Sequence, residues 1–191
     1  MRQITVDVET QGVFRGPIDP TALELTVACI HDSSTGQMLG FFRDELSSLW
    51  PILERADSII GYNSEHFDIP VLSRYYTGDL TKIKHVDLMK EVKNVLGRRL
   101  KLDNLAEATL GRKKTSNGLE AVRWWEQGLR EKVRDYCMAD VAITRELYDY
   151  ALKNGSLKYR DFDGVRDIKL DTSTWELMPA AAPTLTHTLP F

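Results

Sequence analysis

The chain opens on an alternation. Across residues 2–10, Ile4, Val6 and Val8 fall on one side and Thr5, Asp7 and Glu9 on the other, the two-residue period of a β-strand. The turn-rich stretch QGVFRGPIDP at 11–20 follows, and ALELTVACI at 22–30 predicts a second strand. SSTG at 33–36 marks a turn before QMLGFFR, a third strand, so 22–43 is expected to form a hairpin. DELSSLWPILERA then predicts a helix perturbed by Pro51, and DSIIGYN at 57–63 a short buried strand. A helix is expected from Phe67–Asp68 to about Tyr76. IKHVDL predicts a further strand that leads into the helix MKEVKNVLG. KLDNLAEATLG reads as an amphipathic helix closed by Gly111, and RKKTSNG as a basic loop. Two helices at about 118–127 and 129–153, separated by Gly128, complete this part of the chain.

After Gly155 the alternation returns. SLKYRDF and VRDIKLD flank Asp163-Gly164, a dipeptide that favours a two-residue hairpin turn. Such a turn would pair Leu157 with Leu170, Tyr159 with Ile168 and Arg160 with Asp167. Leu157, Tyr159, Ile168 and Leu170 would then share an apolar face that has to be buried. The last 17 residues, WELMPAAAPTLTHTLPF, hold three of the seven prolines and are expected to form an extended tail. The expected organisation is therefore a main domain over 1–154, a β-hairpin appendage over 155–174 and a tail over 175–191. The order of elements predicts an α/β fold, a mixed sheet with helices on its faces.

Composition refines this only slightly. With 191 residues, 42% apolar and 28% charged, the chain fits one domain with an appendage. The net charge of −3 supplies no global basic field, although a nucleic-acid partner needs only a local basic patch. Cys29 and Cys137 fall in a strand and a helix, where buried reduced thiols are expected rather than a disulfide or a metal site. No apolar signal segment opens the chain and no stretch is long enough to span a bilayer. A cytoplasmic protein with no membrane partner is expected.

The chemistry is concentrated in a few acids. In RDYCMADVAITREL, the stripe Val133, Cys137, Thr144, Leu147 and Ala151 at helical spacing turns Asp140 inward. A buried carboxylate costs several kcal/mol unless something pairs with it. Tyr136 lies four residues earlier on the same face. Asp7 and Glu9 project from one face of the first strand, the common surface arrangement as well as a ligand pair. Asp68 opens a helix, either as its N-cap or as a functional acid. Brought together, four carboxylates would repel unless divalent cations supplied counter-charge. Their hard oxygens suit two ions, Mg²⁺ or Mn²⁺, of the kind that stabilise attacking and leaving oxygens in phosphodiester hydrolysis.

In this light VDVET resembles the first motif of the DEDD 3′–5′ exonucleases, D-x-E-T. GYNSEHFDIPVL resembles the second, with its N-x-x-x-[FY]-D core, and YCMAD the third in its tyrosine form, Y-x-x-x-D, which marks the DEDDy subclass. KLDNLAEATLGRKK and the later WWEQG and YCMADVAITREL also look like exonuclease domains of family B DNA polymerases. The resemblance spans about residues 2–153. It implies a ribonuclease H-like fold built on a mixed five-stranded sheet. It also implies Asp7, Glu9, Asp68 and Asp140 as metal ligands and Tyr136 as the residue that positions water. Thr10, Asn63 and Phe67 would lie near the terminal nucleotide, Phe67 either stacking on a base or packing in the core. Asp87 would support the site or cap the helix after it, and His66 and His85 would be loop or surface residues.

Basic residues fit such a substrate. Arg98, Arg99 and Lys101, then Arg112, Lys113 and Lys114, flank the amphipathic helix, where they either contact phosphates or sit as solvated helix ends. Of the adjacent Trp124 and Trp125, one is expected in the core and the other partly exposed. The expected activity is a stand-alone 3′–5′ exonuclease acting on single-stranded DNA or frayed 3′ ends. RNA 3′-end processing and a catalytically silent binding module are the alternatives. The hairpin and tail are expected to serve a second copy, a protein partner or substrate guidance.

Overall fold

A computed structural model describes residues 1–12, 19–112 and 118–178. Strands β1 (Gln3–Gln11), β2 (Glu24–Asp32), β3 (Gln37–Phe42), β4 (Ser58–Gly61) and β5 (Lys84–Asp87) form one sheet in the order β3-β2-β1-β4-β5. β1 runs antiparallel to β2 and parallel to β4. β2 and β3 form the expected hairpin, and β4 and β5 are parallel. The sheet is thus mixed, and its direction changes across β1.

The alternation in β1 assigns its two faces. Ile4, Val6 and Val8 join Leu49, Leu53, Ile69 and Leu72 in one core, on the side of α1 (Trp50–Leu53) and α2 (Asp68–Ser73). The opposite face is covered by α5 (Gly118–Glu126) and the 25-residue α6 (Arg130–Asn154), whose Val133, Cys137 and Val141 pack with Val27 and Cys29 of β2. The expected stripe is seen, with Val133, Cys137, Thr144, Leu147 and Ala151 all buried. Each large apolar side chain so buried contributes roughly 1.5–3 kcal/mol. α3 (Leu88–Leu96) and α4 (Leu102–Leu110) border the β4–β5 end, and α4 closes on Gly111 at φ 70° as expected.

Three local expectations are corrected. Pro51 does not disturb a long helix. Arg43–Ser48 forms a 3-10 turn, and Pro51 then falls in the first turn of α1, where its missing N–H has no helical partner to lose. Trp124 and Trp125 do not divide into core and surface, for both are half-buried. Trp124 packs edge-on to Tyr136, and Trp125 donates from Nε1 to Gln11 at 3.1 Å.

The third correction is the register of β6 (Ser156–Asp161) and β7 (Gly164–Lys169). Leu157 faces Ile168, Lys158 faces Asp167 and Asp161 faces Gly164, two residues away from the expected pairing. The turn is centred on Phe162-Asp163, not on Asp163-Gly164. Asp161 accepts the Phe162 N–H at 2.9 Å and Asp163 pairs with Arg166 at 2.8 Å, while Gly164 at φ 124° closes the ladder. A shift of two preserves which side chains share a face. Leu157, Tyr159, Ile168 and Leu170 are therefore buried together, in one cluster with Leu147, Tyr148 and Trp175. Asn104 and Thr109 of α4 brace β6 through the backbone of Arg160 and Lys158. Of the expected tail, residues 175–178 are seen, with Trp175 buried; 179–191 lie outside the described residues.

Candidate active site

The carboxyl end of β1 is where the elements converge. Its pairing with β4 ends at Thr5, opposite Ile60, so the later residues have no strand on that side. Asp68, in the first turn of α2, fills the gap by accepting the Val8 N–H at 2.8 Å. Phe67, not Asp68, occupies the N-cap position. On the other side the β1–β2 register slips between Glu9 and Thr10, and Thr26 Oγ1 donates to the Glu9 carbonyl at 2.9 Å. Such irregularities re-aim side chains. Here one follows directly on Glu9.

α6 crosses this end of β1. The Cys137 thiol donates to the Asp7 carbonyl at 3.3 Å, and its neighbours Tyr136 and Asp140 point at the Asp7–Glu9 face. One oxygen each from Asp7, Glu9 and Asp140 lie within 4.8 Å of one another. Asp68 is held beside this trio by its bond to Val8 rather than within it.

The electrostatics are those of charges gathered against repulsion. Burial, followed by the carboxylates of Asp68, Asp140 and Glu9, raises the Asp7 pKa well above the usual carboxylate range. Asp68 is pushed up to about 7, chiefly by burial, with the Val8 N–H working against the shift. Tyr136 is driven well above its ordinary value by burial, then by Asp140, Glu9 and Asp7 and by its hydrogen bond to Asp140. Oδ2 of Asp7 is shut off from solvent and accepts no hydrogen bond from the described residues. Crowded carboxylate oxygens, one of them buried without a donor, fit a hard divalent cation.

A loop beside the trio is held by Asp87. Its carboxylate caps α3 through Met89 N at 3.0 Å and Lys90 N at 3.3 Å, and also accepts Asn63 N at 2.7 Å and Glu65 N at 3.1 Å. The expected helix cap is thus present, and the same carboxylate also holds the loop of Asn63 and Glu65. Asn63 is held at φ 66°, the only non-glycine residue with positive φ among the described residues. Tyr62 donates to the Leu100 carbonyl at 2.8 Å and ties this loop to the segment before α4. Sequence pattern carried no sign of the Tyr62 link, since it depends on two segments meeting in space.

A cleft of about 530 Å³ opens on the trio. Asp7 and Asp140 line it together with Asn63, Met89, Arg99 and Lys101. Thr10 is half-buried beyond the register slip, opposite Leu25. Phe67 is half-buried against the α1–α2 core. Arg98 is drawn away to Asp161 at 3.7 Å and the Tyr159 ring, and Arg112 to Glu146 at 2.8 Å. Lys113 and Lys114 lie outside the described residues. His66 is exposed and His85 contacts the Ile83 carbonyl at 2.7 Å; neither joins the acidic trio. Cys29 and Cys137 are buried free thiols, and no helix among the described residues is long and apolar enough to cross a membrane.

A mixed five-stranded sheet with acids gathered at the end of its central strand defines a nuclease fold of the ribonuclease H type. The model of the RNase_H superfamily matches residues 4–152, and the chain belongs to that superfamily. Among solved structures it is similar to the family B DNA polymerase from the hyperthermophilic archaeon Pyrobaculum calidifontis, with 22% identity and a TM-score of 0.63. The match covers 80% of this chain and 24% of the polymerase, and at this identity it speaks for the fold. A comparison with curated proteins gives no match.

Proposed function

We propose that the chain is a metal-dependent 3′–5′ exonuclease of the DEDDy type, acting on single-stranded DNA or frayed 3′ ends. The observation that carries this reading is the convergence of Asp7, Glu9 and Asp140 to within 4.8 Å, with the Tyr136 hydroxyl bonded to Asp140. Asp7, Glu9 and Asp140, helped by Asp68, would hold two divalent ions, Mg²⁺ or Mn²⁺, which when bound supply an activated water and stabilise the leaving 3′ oxygen. The chain's own residues do the rest. Without metal, burial and the surrounding carboxylates oppose the ionisation of Tyr136. In this reading its hydroxyl orients the attacking water. Arg99 and Lys101 line the same cleft as Asp7 and Asp140 and would contact the phosphates. Asn63 and Thr10 border the terminal nucleotide, and Asp87 holds the Asn63 loop in place. DNA is preferred to RNA because the polymerase that shares the fold is a DNA polymerase.

The test uses 5′-labelled single-stranded DNA and RNA with Mg²⁺ or Mn²⁺. A ladder shortening stepwise from the 3′ end of DNA is expected, abolished in Asp7→Asn and slowed in Tyr136→Phe. Faster shortening of RNA would move the reading to RNA end processing. No metal-dependent cleavage of either polymer would leave a silent binding module.

A further inference from the structure

The cleft beside the trio does not stop at Asn63. Asn63, Met89 and Arg99 also line a second cleft of about 430 Å³, which continues along α3 past Lys93 and Asn94. The two clefts are lobes of one groove, with these three side chains at the waist.

The charges in the second lobe do not cancel. Asp87 spends its carboxylate on four backbone N–H groups, and Glu65 is paired with Lys90 at 2.5 Å. Lys93 and Arg99 are exposed, and their side chains make no hydrogen bond or ion pair with any described residue. Other arginines behave otherwise, for Arg98, Arg112 and Arg145 each meet a carboxylate within 4 Å. Two uncommitted cations lining a groove that leads into an acidic trio suit a polyanion with evenly spaced charges. A lone lysine on a helix would be unremarkable; Lys93 differs because Arg99 continues its charge into the first lobe.

We infer that the second lobe is the subsite for the nucleotides that precede the reacting one in a single strand, with Lys93 and Arg99 contacting successive phosphates. This rests on the exonuclease reading and adds to it the direction in which the strand leaves the acidic trio. It makes the activity dependent on strand length, because only a strand of several nucleotides can reach from the acidic trio into the second lobe.

The experiment measures kcat/KM on di-, tetra- and hexadeoxynucleotides for the wild type, Lys93→Glu, the milder Lys93→Gln and a control reversal, Lys82→Glu, on a different groove. The wild type is expected to prefer the hexanucleotide. Lys93→Glu is expected to lose about tenfold of that preference through KM, with a salt slope shallower by about 0.7, the value for one lost single-strand phosphate contact. Lys93→Gln should fall between, and Lys82→Glu should match the wild type. Equal losses on the dinucleotide and the hexanucleotide would overturn the subsite, as would no loss on either. Normal cleavage by the wild type with an unaffected Lys93→Glu sinks the subsite alone. No cleavage of any oligonucleotide by the wild type sinks the exonuclease reading and the subsite with it.

Discussion

The Asp68 carboxylate accepts the Val8 backbone N–H at 2.8 Å, so the first turn of α2 completes the hydrogen bonding of the central strand where β4 has ended. Asp68 thus has a structural partner as well as a place beside the trio. The two roles separate by substitution. Asp68→Asn keeps an acceptor for Val8 and is expected to melt no lower than the wild type while losing about 100-fold in activity, the upper range for disturbed metal-site partners. Asp68→Ala also strands a buried N–H and should lose a further 1–3 kcal/mol or so in urea denaturation. Full activity in Asp68→Asn would remove the residue from the chemistry.

Metal-free stability should carry the signature of the crowded acids. Asp68 moves from its ordinary 3.8 to about 7, and Asp7 is raised as well. Between these limits the folded chain binds protons that the unfolded chain has released, so this contribution to stability falls as pH rises from about 4 through 7. In chelator, Asp7→Asn is expected to melt above the wild type at pH 8, and the gap should shrink toward pH 4. Each kcal/mol corresponds to about 2–4 °C in a chain of this size. Mg²⁺ or Mn²⁺ should raise the wild-type melting temperature at pH 8 and leave the variant nearly unmoved. Identical melting of both proteins at every pH, with or without metal, would rule this out.

At the other end of β1 the sign reverses. Asp32 receives Arg2 at 2.6 and 3.2 Å and Ser34 at 2.8 and 2.9 Å, and its pKa falls to about 2, with the Arg2 hydrogen bond as the leading cause. The stabilisation is present above the ordinary value near 3.8 and lost as pH drops through about 2. Arg2→Met is expected to cost about 1–2 kcal/mol at pH 7 and less than about 0.5 kcal/mol at pH 2. Chemical denaturation at the two pH values reads the difference directly, and a cost independent of pH would contradict the ion-pair origin.

Gly61 ends β4 under Ser64, and a Cβ at this position would collide with the Ser64 Oγ and Cβ. Ser64 is fully buried, so it cannot swing outward. Gly61→Ala should therefore push on the loop bearing Asn63 and cost about 1–3 kcal/mol, with activity falling alongside. Adding Ser64→Gly removes both colliding atoms and is expected to restore most of the melting temperature. Failure of the double variant to recover would mean that Gly61 is needed for some other reason.

Much of this architecture was legible in the chain. Ile4, Val6 and Val8 against Asp7 and Glu9 gave the central strand and its two faces, because a period of two admits one reading. Asp140 was visible as a misfit in the α6 stripe, and the structure surrounds it with Asp7, Glu9 and Tyr136. What escaped depended on partners distant in sequence. The Asp163-Gly164 signal placed the hairpin turn one residue late, since Asp161 and its bond to Phe162 compete locally with the dipeptide preference. Asp68 read either as an N-cap or as a functional acid, and its bond to Val8, 60 positions earlier, had no sign in the sequence. The four N–H groups gathered by Asp87 combine a local cap with a loop beyond β4, and only the first of these follows from spacing.

α6 joins two otherwise separate parts of the molecule. Tyr136 and Asp140 lie toward its first half. Tyr148 stacks on Trp175 at 5.3 Å further along and accepts from Gln3 at 2.7 Å. Asp140 and Tyr148 are eight residues apart, about 12 Å of helix. The Tyr148–Trp175 stack and the Cys137 thiol on the Asp7 carbonyl hold α6 at two levels, one at the hairpin end and one at the acids. The buckle that fastens the hairpin and Trp175 to the body is therefore cut from the same helix that carries two residues of the acidic site.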